Sequence, residues 1–103
     1  MDKSNFVDLE MENGTVQLTL NFYRLSQLQT KHKNEYKLYF DIQKENGPKT
    51  DLDAVKILYV AYLCANMESM PDVMSQEEFL QNMKQGRARV WRAYNDLMTD
   101  PKN

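Results

Sequence analysis

The longest apolar run of the chain is Ile57-Leu58-Tyr59-Val60-Ala61-Tyr62-Leu63-Cys64-Ala65. Thr50 and Asp51 stand before this run and indicate a helix start, because acidic residues stabilise the first turn of a helix. A helix that is apolar on every side must be surrounded by other elements. We therefore predict a buried central helix over residues 51–66, and the rest of the chain is expected to pack around it.

A β-hairpin is predicted over residues 6–20, well before the central helix. Asn13-Gly14 is a strong hairpin signal, and it lies between two stretches in which apolar and polar residues alternate. Val16, Leu18 and Leu20 would share one face, because side chains alternate along a strand. An isolated hairpin is barely stable in water, so this apolar face is expected to lie against helices.

Residues 21–45 are predicted to be helical, and a break within them is left open. Asn21 is a suitable N-cap residue, and Leu25 and Leu28 follow it at helical spacing. Residues 34–43 fit the alternation of a strand as well as the stripe of a helix. We favour the helix, because the apolar stripe continues in phase and no turn residue interrupts it.

Two further helices are predicted over residues 75–98. Ser75 and Glu78 have the spacing of a capping box, in which each side chain bonds the other residue's backbone amide. Gly86 is expected to separate the first helix from the last one, about residues 87–98. The apolar face of the first helix would comprise Phe79, Leu80 and Met83.

The fold class that these elements predict is α+β and mostly α, with an N-terminal β-hairpin packed on a bundle of about four helices. The chain has 103 residues, the length of one domain, so residues 1–103 are expected to form a single domain. With one cysteine, Cys64, it has no intrachain disulfide. Neither a signal peptide nor a run of the about 20 apolar residues that span a bilayer is present. We expect a soluble, cytoplasmic protein that has no contact with membranes.

The residues that could support catalysis each have a structural explanation. His32 is the only histidine and has no acidic neighbour suited to a metal site. Cys64 lies in the apolar run, where a thiol is expected to be buried and unreactive. The acid pairs Asp51 with Asp53 and Glu77 with Glu78 open helices, which accounts for them without catalysis. We expect no enzymatic activity, no cofactor and no metal.

A protein partner is expected at the methionine-rich loop and the C-terminal helices. Methionine side chains repack easily and suit adaptable binding surfaces, although the same residues could fill an irregular core. The candidate partner residues are Met67, Met70, Met74, Arg87, Trp91 and Tyr94. The alternative is a small nucleic-acid-binding regulator that uses the basic residues Lys84, Arg87, Arg89 and Arg92. A net charge of −2 lowers the expectation for nucleic acid.

The order of these motifs resembles that of the tail assembly chaperones of long-tailed bacteriophages. Three segments carry the resemblance: the hairpin that leads into Phe22…Leu25…Leu28, the stretch Leu58-Tyr59-Val60-Ala61-Tyr62-Leu63, and the helix start Ser75-x-x-Glu78-Phe79-Leu80. The resemblance covers most of the chain. Each motif is also a generic structural signal, so the specific feature is their order.

The resemblance implies a protein of the bacterial host cytoplasm with no enzymatic role. Members of the family act on the tape measure protein, whose long hydrophobic helices need shielding until the tail tube protein polymerises around them. The implied partners are therefore the tape measure protein and, secondarily, the tail tube protein, and a homo-oligomer is left open. The family has no catalytic residues to transfer, and its binding residues are not fixed by a motif.

Overall fold

The computed structural model describes residues 6–69, 72–84 and 86–99. Within these ranges an antiparallel hairpin of two strands is followed by five α-helices, which confirms the predicted α+β class dominated by helix. The elements are β1 (Val7–Met11), β2 (Gly14–Leu18), α1 (Phe22–Lys31), α2 (Lys33–Lys44), α3 (Asp51–Ala65), α4 (Gln76–Asn82) and α5 (Arg87–Met98), with a 3-10 turn at Met67–Ser69.

The hairpin turn lies one residue earlier than the Asn13-Gly14 signal suggests. Glu12 and Asn13 form the turn, while Gly14 pairs with Met11 as the first residue of β2. Gly14 has a φ of 131°, which a residue with a side chain rarely adopts. The amide of Glu12 donates to the carbonyl of Asn82 at 2.8 Å, so the turn is held by a helix distant in sequence.

The helical segment predicted over residues 21–45 is broken at His32. Asn21 caps α1 as expected, because its side chain accepts from the Arg24 amide at 2.9 Å. His32 has φ and ψ of −139° and 69°, outside the helical region, and it separates α1 from α2. Residues 34–43 are helical, so the helix was the correct alternative for this stretch.

Helix α3 lies at the centre of the core, as predicted. Ten of its 15 residues are buried, and they fall on all sides of the helix. Thr50 caps its start by accepting from the Asp53 amide. The carbonyl of Ala61 accepts from the Thr19 amide at 3.1 Å, and the carbonyl of Cys64 accepts from the Arg24 guanidinium at 3.0 Å. These bonds join the end of the hairpin and the start of α1 to the central helix.

The capping box at the start of α4 is confirmed in both directions. The Ser75 hydroxyl accepts from the Glu78 amide at 3.1 Å, and the Glu78 carboxylate accepts from the Ser75 amide at 2.9 Å. Helix α4 ends at Asn82, before the expected break at Gly86, because Met83 forms an antiparallel bridge with Met11. Gly86 instead caps the start of α5.

Across residues 6–69, 72–84 and 86–99, no helix has the combination of length and apolar character needed to cross a membrane.

Candidate protein-binding groove

The candidate partner residues of the loop between α3 and α4 are partly used by the core. Met67 and Met74 are half-buried and pack against the core cluster. Their side chains therefore fill part of the core and are also partly exposed. Neither predicted role, core filling or an adaptable binding surface, accounts for them alone. Met70, the third predicted residue of this loop, lies outside the described residues.

The candidate residues of α5 lie against the opposite end of α3. The indole nitrogen of Trp91 donates to the Asp51 carboxylate at 2.7 Å, and the Arg87 guanidinium forms an ion pair with the same carboxylate at 3.0 Å. Asp51 begins α3, whereas Met67 follows its last turn, and a helix of 15 residues is about 22 Å long. The structure therefore does not bring the two groups together into one surface.

Tyr94 also attaches α5 to the rest of the fold. Its ring lies 5.7 Å from that of Trp91 in an edge-to-face arrangement. The Tyr94 hydroxyl oxygen lies close to Gly47, 3.6 Å from where a Cβ atom on that residue would be, so Tyr94 packs against the turn between α2 and α3. Burial raises the pKa of Tyr94, with the nearby Tyr39 as a second cause. These contacts give Tyr94 a structural role.

The basic residues around α5 are engaged in ion pairs with acidic residues of the same chain. Arg87 pairs with Asp51, while Lys84 and Arg89 both approach the Glu10 carboxylate, at 3.9 and 3.8 Å. These contacts reduce the positive field that a phosphate backbone would meet. Arg92 is exposed, and across the described ranges no ion pair involves it.

Metal-ligating side chains are dispersed over the described residues, and Cys64 is buried. No group of three or more His, Cys, Asp or Glu side chains in these ranges is close enough to hold a metal ion. The Cys64 side chain is buried, as predicted, and burial raises the pKa of its thiol to about 12. A thiol of that acidity stays protonated at neutral pH and is a poor nucleophile.

An open cavity of about 540 Å³, here named the wide cavity, lies where α2, α3 and the start of α4 meet. Its volume is in the range of pockets that bind ligands or side chains. Five apolar or aromatic residues line it: Leu38, Tyr59, Leu63, Val73 and Met74. Five polar residues complete the lining: Asn34, Glu35, Ser75, Gln76 and Glu78.

Two tyrosines of α3 hold the loop at one side of the wide cavity. The Tyr59 hydroxyl donates to the Met74 carbonyl at 3.0 Å, and the Tyr62 hydroxyl accepts from the Met74 amide at 2.8 Å. Phe79 lies against both tyrosine rings, with its ring centroid 5.4 Å from each. The backbone position of Met74 is therefore fixed by the two tyrosines, and its sulfur accepts from the Asn82 side-chain amide at 3.7 Å.

A second cavity of about 140 Å³, here named the narrow cavity, adjoins the first. Tyr59 and Gln76 line both cavities, so the two lie side by side on α3, and the pair is here named the groove. Leu52 and Leu80 line the narrow cavity and are 64% and 42% exposed. Leu80 was predicted on the apolar face of α4, and it lines this cavity beside Phe79 while remaining exposed. Phe79 alone is buried in this short helix.

Sequence reasoning did not find this groove, although it found part of its wall. Among the predicted partner residues that the structure describes, Met74 lines it. Leu52 was an available signal, because it is an apolar residue in the otherwise acidic first turn of α3. No family model matches the chain, and no match is found among curated proteins or solved structures.

Proposed function

We propose that this protein is a non-enzymatic protein-binding module that serves as a phage tail assembly chaperone. In this role it shields apolar helices of a tape measure protein until the tail tube protein polymerises around them. The observation that carries the proposal is the groove over α3, with an apolar wall and exposed leucines at one end. The order of sequence motifs that resembles the tail assembly chaperones supplies the partner.

The chemistry of the groove favours an apolar helix as its occupant. Exposed Leu52 and Leu80 remain in contact with water, and an apolar partner would remove this contact. The flexible Met74 side chain suits a surface that accommodates different apolar side chains. Docking of a helix in a groove, with apolar residues as anchors, is a common mode of peptide recognition.

Co-expression with a tape measure protein tests the proposal. Wild-type protein is expected to keep the tape measure protein in the soluble fraction and to co-purify with it. Leu80→Glu and Leu52→Glu place a charge in the narrow cavity without disturbing the core, so both variants are expected to lose the partner. Phe22→Glu is the control, because Phe22 is 87% exposed and does not line the groove.

The proposal fails if wild-type protein leaves the tape measure protein insoluble. The role of the groove fails if Phe22→Glu reduces co-purification as much as Leu80→Glu does. Far-UV circular dichroism on each purified variant establishes that the helices are retained, so loss of the partner is read as loss of the binding surface.

The second candidate function is binding of nucleic acid by α5. Exposed Arg87, Arg89 and Arg92 favour it, while the ion pairs of the first two weigh against it. Binding to DNA or RNA that is tight at low salt and weakens steeply with added salt would support this function. Absence of binding at low salt would remove it.

A further inference from the structure

Charged side chains make the two ends of the groove different. In the part of the chain that the structure describes, Glu35 on α2 and Glu78 on α4 are the charged residues that line the wide cavity. Lys56 on α3 is the charged residue that lines the narrow cavity. The wide cavity therefore combines apolar side chains with two carboxylates, and its rim is here taken to be the part lined by Glu35 and Glu78.

Most acidic residues of the described ranges, including the two carboxylates of the wide cavity, have no cationic partner within 4 Å. Other acidic residues form ion pairs within 4 Å: Glu10 with Lys84 and Arg89, Asp41 with Lys37 and Lys44, Asp51 with Arg87, and Glu68 with Arg24. Over the described ranges, neither Glu35 nor Glu78 forms such a pair. Glu78 uses one carboxylate oxygen to accept from the Ser75 amide, which leaves its other oxygen available.

Both carboxylates affect the pKa of Tyr59, which lines the same cavity. Burial raises the pKa of the Tyr59 hydroxyl, and the negative charges of Glu35 and Glu78 are among the further causes. Glu35 and Glu78 line the wide cavity together with Tyr59, so this cavity carries two carboxylates from different helices. A cation placed at the rim would be attracted by both.

The elements around the groove also indicate the secondary structure of the segment that would bind there. The groove is bordered by α2, α3, α4 and loop residues 73–75. Backbone groups inside the helices bond within the helix, and the Met74 amide and carbonyl and the Ser75 amide bond to side chains of the same fold. No free strand edge borders it among the described residues. A bound segment must therefore satisfy its own backbone groups, which an α-helix does.

We propose that the groove takes an amphipathic helix of the partner protein in which an apolar ridge is followed by Lys or Arg side chains that pair with Glu35 and Glu78. This inference rests on the proposed function and defines the chemical nature of the bound segment. The apolar ridge lies on Tyr59 and Met74 and extends towards Leu80, and the cationic end lies on the rim of the wide cavity.

Two helical peptides that differ at one end test the inference with the full-length protein. Each has about 18 residues, enough for about five turns, and carries a leucine ridge. One ends in lysines and the other in glutamates, while the rest of both polar faces is glutamine. Fluorescence anisotropy gives their affinities at low salt and at about 1 M salt, where the Debye length is about 3 Å.

The lysine peptide is expected to bind about five-fold more tightly at low salt, the size of two exposed ion pairs, and to lose most of this advantage at high salt. The double variant Glu35→Gln/Glu78→Gln is expected to bind both peptides equally. Glutamine retains the capping interaction at Glu78, so α4 keeps its start. The matched control Glu12→Gln/Glu45→Gln removes the same charge outside the groove lining and should retain the preference.

Equal affinities of the two peptides for wild-type protein, absence of binding by either, or a preference that persists in Glu35→Gln/Glu78→Gln would each overturn the inference. Self-association through the groove that excludes peptide, detected by sedimentation, would do so as well. If the tape measure protein co-purifies with wild-type and Glu35→Gln/Glu78→Gln protein alike, the proposed function stands and this inference fails. If the lysine peptide binds as expected but the tape measure protein stays insoluble, the proposed function fails instead.

Discussion

Replacement of Phe79 by alanine is expected to be among the most destabilising changes in this protein. The side chain is fully buried and its ring lies 5.4 Å from those of Tyr59 and Tyr62. A Phe→Ala change at such a site costs about 4 kcal/mol, since it removes buried surface and leaves a cavity. A domain of this size is typically stable by only about 5–15 kcal/mol, so the loss is a large part of the total.

Urea unfolding measures this loss, with Trp91 as the only tryptophan and hence a single fluorescent reporter. With an m-value of about 1.5 kcal/mol/M, the midpoint should fall by about 2.5 M in Phe79→Ala. Phe79→Leu retains most of the apolar volume and should lose about 1–2 kcal/mol, which keeps the measurement within range if the alanine variant does not fold.

Leu80→Ala is the control for Phe79→Ala, because Leu80 is the next residue of the same helix and is 42% exposed. Its cost is expected to be below about 0.5 kcal/mol, as for other surface positions. Similar midpoints for Phe79→Ala and Leu80→Ala would refute the reasoning, because they would mean that Phe79 does not hold α4 against α3.

Three further outcomes are expected. Ser75→Ala should cost about 1 kcal/mol through loss of the helix cap, measured as a lower midpoint in urea; an unchanged midpoint would contradict the cap. The hydrogen bond from Trp91, and then the charge of Arg87, lower the pKa of Asp51, so its stabilising contribution is present above pH 3.8 and is lost as the pH falls through the lower folded value. Asp51→Asn should therefore be less stable than wild type at neutral pH, with a difference that narrows below pH 3.8; a difference that stays constant to lower pH would argue against this ion pair. Cys64, with a pKa of about 12, should react with a thiol reagent only after unfolding, and rapid labelling of the native protein would show that it is not buried.

The elements that the sequence predicted well are those set by local chemistry. The Ser75 capping box and the apolar run of α3 each depend on residues within a few positions of one another. These two predictions therefore did not depend on knowing how the rest of the chain folds. The last helix was predicted over residues 87–98, and α5 has those bounds.

The elements that were predicted less well depend on partners distant in the chain. Helix α4 ends at Asn82 because Met83 pairs with Met11, which no local pattern at residue 83 indicates. The turn at Glu12 lies where the Asn82 carbonyl receives its amide. His32, where α1 ends, is neither glycine nor proline, so no ordinary helix-breaking residue marked this position.

The groove could not be predicted because it exists only between elements. Its walls are α2, α3 and the residues before α4, and their separation depends on how Phe79 and the two tyrosines pack. Asp51 illustrates the same point for a single side chain. Sequence reasoning explained it as a helix-start acid, whereas the structure also gives it the contacts that hold Trp91 and Arg87.

The bridge between Met11 and Met83 has a consequence for the nascent chain. During synthesis the hairpin and the first three helices leave the ribosome before α4 and α5 do, so the end of β1 at Met11 lacks its bridge and α3 has an uncovered flank for that interval. Unpaired strand edges and apolar flanks are the surfaces through which nascent chains aggregate. Closure of the core awaits the arrival of Phe79 and Met83. Until then the chain exposes the same kind of surface that we propose it covers on its partner.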